Sequence, residues 1–596
     1  MNKILLSIVC AGLSCSAVSA VPFQEIIGED ADLFVTVRSV SETREQWATH
    51  PIAELFEDEE LLDFFDQVTA EDAIDVAADE EEDFDAVLEA FGLTLDELFE
   101  LFPGQASLAF YKLADQMFDR VDREEMVLMA EFSGDAERLN ELMQIQFERN
   151  MKAQQAVNPL VEHEMIEESF MGETLYFDQT FNGETTYIED GYAFVNGIVV
   201  LATPESRLRE AVESIKEGAS DPIAVVDVYR RSREDAGRGD FSVYLNLENL
   251  MPPLNAALAD LPMVNHLAMF GVTSQSLQNA LSLESLQAVY ADLDLIADGV
   301  LAHYGMIYDE KRGFLSLLSY GQGELPEARY VPEDVLSSAV SLFDCSAMLE
   351  NLEKVLTSAS PTLPPMIDMQ LQMMQTNTGV DLRASILENF GSRVVNLSVL
   401  NEAGLDGVAM AEPQQLFLVE LKDAQALAQA IEAFKDMVPG ARAMIEAQEY
   451  EGQTIYTIHG PSDPNVPDAQ QADVSYVMTR SELIVNVGRV GLLHQVLSRM
   501  GEGSDGLWQS PGVEVLFERI EQPNAVTRSY VNAEQMIEPF FRSLLEAGEL
   551  SGLTKHMSTD QIPSDLDASY RLVSEINEAP DSLFGRTLII KSEGSE

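Results

Sequence analysis

Apolar positions along this chain follow two rhythms that alternate. In the first half, "DLFVTVRSVSETREQW", "MVLMAEFSGDAERLNELM" and "FSVYLNLENLMPPLNAAL" each begin with a β-rich run, break at polar residues, and continue with helical spacing. The second half repeats the scheme in "SAVSLFDCSAMLENLEKVL", "LFLVELKDAQALAQAIEAF" and "TRSYVNAEQMIEPFFRSL". β-Branched and aromatic alternation predicts strands. Ser, Asp or Asn at each break can cap the following helix by accepting one of its orphan N–H groups. Leu427, Ala430, Ile431 and Phe434 fall at i, i+3, i+4 and i+7, which predicts one buried helix face. Leu208, Val212 and Ile215 predict another, as do Leu493, Val496 and Met500. Between these units, "FMGETLYFD" and "TTYIEDGYAFVNGIVVLA" alternate with period two and place turn residues at Gly172, Asp190-Gly191 and Asn196-Gly197. That pattern predicts hairpins. The expected class is α+β, a mainly antiparallel sheet with helices packed on one face.

The two halves also match landmark by landmark. "FGLTLDELFELFPGQASLAF" corresponds to "TGVDLRASILENFGSRVVNLSV", with Gly92 and Gly104 spaced like Gly379 and Gly391. Two apolar strands end in an acid, Glu131 or Glu420. Phe170, Gly172, Thr174 and Tyr176 match Tyr450, Gly452, Thr454 and Tyr456. Tyr244, Asn246, Glu248 and Pro253 match Tyr530, Asn532, Glu534 and Pro539 without a gap. Ordered matches over most of both halves predict two homologous modules. The expected organisation is a signal peptide over 1–20, module 1 over 21–325 and module 2 over 326–596, with the seam in "YGQGELPEARYVPEDV". Module 1 carries an extra acidic stretch at about 69–88, including "DVAADEEEDFDAV", read as a solvated insertion because like charges at that density repel.

Composition narrows the function. The chain has 596 residues, 46% of them hydrophobic, and a formal net charge of −68. Hydrophobic content at that level supports a sizeable core. The charge argues against nucleic acid and against anionic lipid, both of which recruit Lys and Arg. It is consistent with a surface adapted to a saline medium, and leaves weak divalent cation binding open. Lys3, the apolar Ile4–Val18 stretch and Val18-Ser19-Ala20 form a signal-peptide pattern, placing the mature chain outside the cytoplasm, in the periplasm or secreted. A lipoprotein reading through Cys15 is disfavoured, because Gly12 stands where a large aliphatic belongs. With Cys10 and Cys15 removed, Cys345 is the remaining thiol; a buried inert thiol is the default for it, with a reactive nucleophile as the lesser alternative. No later stretch is long and apolar enough to span a bilayer as a helix.

"RYVPEDV", "TGVDLRASILENFGSRVV", "LFLVELKDAQAL", "YEGQTIYT" and the stretch from Leu483 to Met500 resemble an uncharacterised family of large secreted bacterial proteins of planctomycete and verrucomicrobial type, a domain of unknown function. The resemblance covers most of the mature chain and is clearest in the second module. It implies a duplicated extracytoplasmic α+β protein and brings no catalytic residues with it.

Candidate chemistry is sparse. "HEMIEE" at His163 begins like a zincin helix but has Glu167 where a second His belongs, so it reads as an exposed polar helix end. Asp292, Asp294 and Asp298-Gly299 have the wrong ligand order for a calcium loop and read as a strand leading to Gly299. Met366, Met369, Met373 and Met374 lie at helical spacing and suit a packing stripe. The most site-like pattern is the repeated Tyr-x-Asn-x-Glu, namely Tyr244, Asn246 and Glu248 with Tyr530, Asn532 and Glu534. Strand alternation would put each trio on one face, and capping at a strand-to-helix junction is the plainer reading. No cofactor is expected. The leading expectation is a non-catalytic envelope scaffold or binding module with an envelope or extracellular partner. Two alternatives stand beside it: a hydrolase with a site between the modules, and a calcium-dependent adhesion protein.

Overall fold

A computed structural model describes residues 21–56, 94–117, 125–157, 161–181, 185–236, 239–259, 270–400, 414–437, 440–459, 473–503, 505–535 and 569–591. The expected signal peptide and the acidic stretch at about 69–88 lie outside the described residues, as do Cys10, Cys15 and Pro539. The chain divides into two compact units: the described residues of Met1–Ala53, Ala73–Ala256 and Leu286–Asp309, and those of Glu54–Asp72, Ala257–Ser285 and Glu310–Glu596. Both mix helices with antiparallel strands, so the fold class is α+β.

Ten strands of the first unit are described: β1 (Ala31–Val37), β2 (Ala106–Tyr111), β3 (Glu125–Glu131), β4 (Glu162–Phe170), β5 (Glu173–Phe181), β6 (Thr186–Val195), β7 (Ile198–Thr203), β8 (Phe241–Asn246), β9 (Leu286–Ile296) and β10 (Gly299–Tyr308). Their spatial order is β4-β5-β6-β7-β3-β2-β1-β8-β9-β10, antiparallel throughout. The principal helices are α1 (Val40–Trp47), α2 (Ala136–Val157), α3 (Glu205–Glu217) and α4 (Asp227–Ala236). Residues directly opposite one another point to the same face. One buried row therefore crosses the unit through Tyr290, Tyr244, Phe34, Ala109, Val127 and Ala202. Tyr229 of α4 stands edge-on to both Phe34 and Tyr244. Leu208, Val212 and Ile215 of α3 are buried, as their spacing predicts. Removing such side chains from water contributes about 1.5–3 kcal/mol each.

The second unit contains β11 (Ser337–Leu342), β12 (Phe390–Val399), β13 (Gln414–Leu421), β14 (Ile445–Tyr450), β15 (Gln453–Ile458), β16 (Val474–Met478), β17 (Glu482–Val487), β18 (Ala525–Asn532), β19 (Tyr570–Ala579) and β20 (Ser582–Lys591). Their order is β14-β15-β16-β17-β13-β12-β11-β18-β19-β20, again antiparallel. It is the first unit's order with every strand number raised by ten. The principal helices are α5 (Cys345–Ala359), α6 (Leu363–Thr378), α7 (Ala424–Met437), α8 (Gly491–Glu502) and α9 (Pro511–Ile520).

The polar breaks act as caps. Ser39 accepts from Glu42 N–H ahead of α1, Asp344 from Ala347 N–H in α5, and Asp423 from Ala426 N–H in α7. Hairpins turn at Met171-Gly172, Asn196-Gly197 and Glu451-Gly452, each with both residues at positive φ, as two-residue turns that match strand twist require.

Several expectations need correcting. Asp190-Gly191 is not a turn but lies inside β6. Gly191 is needed for close approach: a Cβ there would meet Phe177 Cε1 at 2.7 Å and Leu208 Cδ2 at 2.9 Å. His163 is on β4, not a helix, and its side chain is 1% exposed rather than solvated. On α7, Leu427 and Ala430 are buried, but Phe434 is 49% exposed and Lys435 is buried instead. Lys435 lies 4.4 Å from the centroid of the Tyr456 ring, an attraction that favours a cation over a phenyl group at that position. Elsewhere in the second unit, Val331 is fully buried, its carbonyl accepts from Leu507 N–H, and the Glu327 carbonyl accepts from Gln509 Nε2.

Candidate functional site

The two Tyr-x-Asn-x-Glu copies occupy the same place in the two strand orders, at the ends of β8 and β18. Tyr244 and Tyr530 are core residues, 2% and 3% exposed. Burial raises the pKa of both hydroxyls, so neither is primed to ionise. Asn246 ends β8, and its Oδ1 accepts the Glu248 N–H at 3.1 Å. Glu248 lies beyond the strand and is exposed; Glu534 sits in the short 3-10 turn Ala533–Gln535 and is exposed too. The strands end before the Glu, so neither trio forms one face. The Asn246 geometry is that of a junction cap.

A second pair of matching positions joins Asp292, read from sequence only as part of a strand leading to Gly299, with Glu575, which the sequence does not single out. Asp292 stands two residues past Tyr290, which faces Tyr244; Glu575 stands two residues past Val573, which faces Tyr530. Both acids are fully buried. Asp292 accepts from Arg233 Nη1 of α4 at 2.6 Å and from the Ser242 hydroxyl. Glu575 accepts from Arg528 Nε at 2.6 Å and from Gln522 N–H at 2.8 Å. Burial raises the Glu575 pKa despite Arg528. The position keeps an acid in both units, while the neutralising arginine comes from a helix in one and a strand in the other. A buried carboxylate needs such a partner wherever it can be reached.

Stacked tyrosines form a third pair. Tyr176 and Tyr192 are 4.9 Å apart on β5 and β6, and Tyr456 and Tyr476 are 5.1 Å apart on β15 and β16. Asn140 of α2 donates to Tyr176 Oη and accepts from Tyr192 Oη. In the second unit Lys435 of α7 covers the pair. Of the other polar candidates, His163 Nδ1 lies 2.9 Å from Thr180 Oγ1 and 3.2 Å from Asp178 Oδ1. Both contacts use one ring nitrogen, which is not how a nucleophile–base–acid relay is built. Cys345 begins α5 half-buried, its pKa raised by burial and by Asp344, the opposite of a reactive thiol.

Two of the concave features among the described residues combine apolar lining with charged groups. In the first unit, a cleft of about 520 Å³ is lined by Asp30, Tyr111, Arg207, Glu210, Glu217 and Asp221, among others. Arg207 bonds Asp30 at 2.6 Å and Glu210 at 2.9 Å and covers the Tyr111 ring at 3.8 Å. All three guanidinium nitrogens donate to carboxylates of the protein, Nε to Glu125, Nη1 to Glu210 and Nη2 to Asp30.

In the second unit, a groove of about 180 Å³ lies among α5, α6 and the five-residue π-helix Arg383–Leu387. Its floor is apolar, with Leu349, Leu352, Leu356, Ile367, Leu371 and Leu387. Arg383 ties the three walls together, reaching Glu353 of α5 at 2.6 Å, Asp368 of α6 at 2.8 Å and Glu388 at 3.4 Å. The expected methionine packing stripe is overturned here. α6 buries none of its 16 residues, and Met366, Ile367, Met369 and Met373 are 44%, 44%, 54% and 47% exposed. Helical spacing was legible in the sequence, but it could not say that this face is exposed. The π-helix, a form that recurs at functional sites, also had no sequence signal.

No protein-family model and no curated protein matches the chain. Among solved structures it is similar to three crystal forms of TP0453: form IV at 9% identity, covering 48% of this chain and 81% of that one with a TM-score of 0.22; form III at 8%, covering 50% and 84%, with 0.22; and form I at 10%, covering 49% and 80%, with 0.21. Similarity at that level carries no argument about fold or function.

Proposed function

We propose that this chain is a non-catalytic extracytoplasmic protein, built from two copies of one α+β framework, that acts as an envelope scaffold or binding module. The shared order of ten strands, the ordered sequence landmarks and the matching Asp292 and Glu575 positions support the duplication. The signal-peptide pattern at Lys3–Ala20 supports the location. The observation that carries the binding role is α6, a 16-residue helix with no buried residue and four large apolar side chains in solvent. Exposed apolar surface of this kind marks interaction sites on proteins that must otherwise stay soluble.

The test is photocrosslinking in the native envelope, with benzoylphenylalanine placed at Met369 and, as a control, at the exposed Glu137 of α2. The reading expects a discrete adduct from position 369 alone. The same adducts from both positions, or none from 369, would remove it.

A further inference from the structure

We propose that the groove among α5, α6 and the π-helix docks a cationic amphipathic helix of a partner protein. This deepens the binding-module reading and rests on it. Three observations select that occupant. First, the trough is lined by half-exposed aliphatic side chains, Leu349, Leu352, Leu356 and Leu371, with Ile367 44% exposed beside them. An apolar trough beside a helix receives partner residues spaced at i, i+3, i+4 and i+7.

Second, the charge is ordered around the trough. α6 carries a single ionisable residue, Asp368, and that residue is engaged by Arg383. The lining also includes Glu350, Glu353 and Glu388. Arg383 is the cation among the lining residues, and Lys422 closes one end through Ser346 Oγ and the Glu388 carbonyl. Acids exceed bases at the rim even after both cations are counted. A partner helix with apolar residues on one side and Lys or Arg on its flanks meets apolar floor and acidic rim together. An anionic lipid surface or a second copy of this acidic chain meets like charge.

Third, the walls are preorganised. Arg383 clamps α5, α6 and the turn after the π-helix, so the trough does not have to form during binding, which lowers the ordering cost. The net charge of −68 also favours approach of a cationic partner, with a steep dependence on salt.

The experiment uses the full mature chain and a fluorescein-labelled Leu/Lys amphipathic peptide of about 18 residues, long enough for five helical turns. Its Leu/Glu counterpart, phosphatidylcholine vesicles with and without phosphatidylglycerol, and sedimentation velocity serve as the other arms. The expected result is saturable binding of the Leu/Lys peptide. Ile367→Ser with Leu371→Ser, on the groove face of α6, should weaken it roughly tenfold, as loss of central apolar anchors does. Glu350→Lys with Glu388→Lys should weaken it by about fivefold and flatten its salt dependence. Glu137→Lys with Glu141→Lys, on α2 of the other unit, should change it by less than about twofold, since rim-type charges away from the site act weakly. Equal weakening by groove and control variants overturns the proposal in favour of diffuse attraction to an acidic surface. So does no binding of the Leu/Lys peptide, or preference for the Leu/Glu one. If the Ile367 and Leu371 variants abolish vesicle binding or self-association and leave peptide binding unchanged, the occupant is lipid or a second copy and the proposal fails. A position-369 crosslink that persists while the peptide shows no preference removes the cationic partner alone and leaves the binding-module reading standing.

Discussion

Gly391→Ala is expected to destabilise the second unit through one identifiable side chain, Glu420. Gly391 lies in β12 where its register against β13 breaks, between Phe390 and Val394. The break takes the N–H groups of Ser392 and Arg393 out of the ladder, and Glu420 Oε2 on β13 accepts both, at 3.2 and 3.3 Å. The carboxylate reaches them by lying across Gly391: a Cβ there would meet Glu420 Oε2 at 2.5 Å, Cγ at 2.6 Å and Cδ at 2.8 Å. An alanine can expel the carboxylate, losing two charge-assisted hydrogen bonds worth about 1.5–3 kcal/mol each. Or it can shift the backbone, at about 1–3 kcal/mol for overpacking. The cheaper route sets the cost, so about 1–3 kcal/mol is expected. Glu420→Ala removes every clashing atom. In that background Gly391→Ala should cost nothing and even gain about 0.5–1 kcal/mol, since Ala loses less chain entropy than Gly in a strand. The coupling energy is then about 1.5 kcal/mol or more, well beyond the roughly 0.5 kcal/mol scatter of independent sites. The assay is urea unfolding of the full chain in a Trp47→Phe background, leaving Trp508 to report on the second unit. Additive behaviour of the two substitutions would refute the reasoning. The first unit supplies an internal contrast. There Glu131 lies across Gly104 with its own Cβ 2.6 Å from the added carbon, so Glu131→Ala should fail to rescue Gly104→Ala.

Three further outcomes follow from the geometry. Arg528→Ala strips the ion partner from fully buried Glu575 and should cost about 3 kcal/mol at neutral pH, the lower end for a broken buried pair because Arg528 is itself partly exposed. The Glu575 pKa is already raised by burial and rises further without the arginine, so the loss should shrink as pH falls and the carboxyl protonates. Equal losses at neutral and mildly acidic pH in urea titrations would count against this. The exposed His459 has its pKa raised by Asp473 and then Glu446. Its contribution is therefore complete below the ordinary histidine value of about 6.5 and lost as pH rises through the raised folded-state value. Asp473→Asn should lower its NMR titration midpoint, and an unmoved midpoint would dismiss the pairing. Val496, fully buried on α8, should tolerate Ala at a cost of about 1.5–3 kcal/mol for two methyl groups and their cavity. Val496→Asp should unfold the second unit, and near-native circular dichroism of that variant would disprove the assignment of that face.

The amino-acid sequence by itself determined what local physics controls. Alternation and helical spacing located the strand–break–helix units, because side-chain direction follows directly from strand and helix period. Ser39, Asp344, Asp423 and Asn246 were legible as junction residues, since a cap needs only its own neighbours. Gly172 and Asn196-Gly197 were legible as turns for the same reason. Tertiary structure decided everything that depends on what arrives from far along the chain. Gly191 looked like a turn until Phe177 and α3 showed that its missing side chain is needed for packing. His163 looked solvated until β5 supplied Thr180 and Asp178 beside it. Phe434 and Lys435 exchanged places because two tyrosines from β15 and β16 offered a cation site. Glu575 and Asp292 occupy one position in two strand orders, which no linear pattern reveals because their arginines come from different elements. The methionines of α6 obeyed helical period in the sequence. Period fixes which side chains share a face, but only the assembled unit determines whether anything covers it, and on α6 that face is left to solvent.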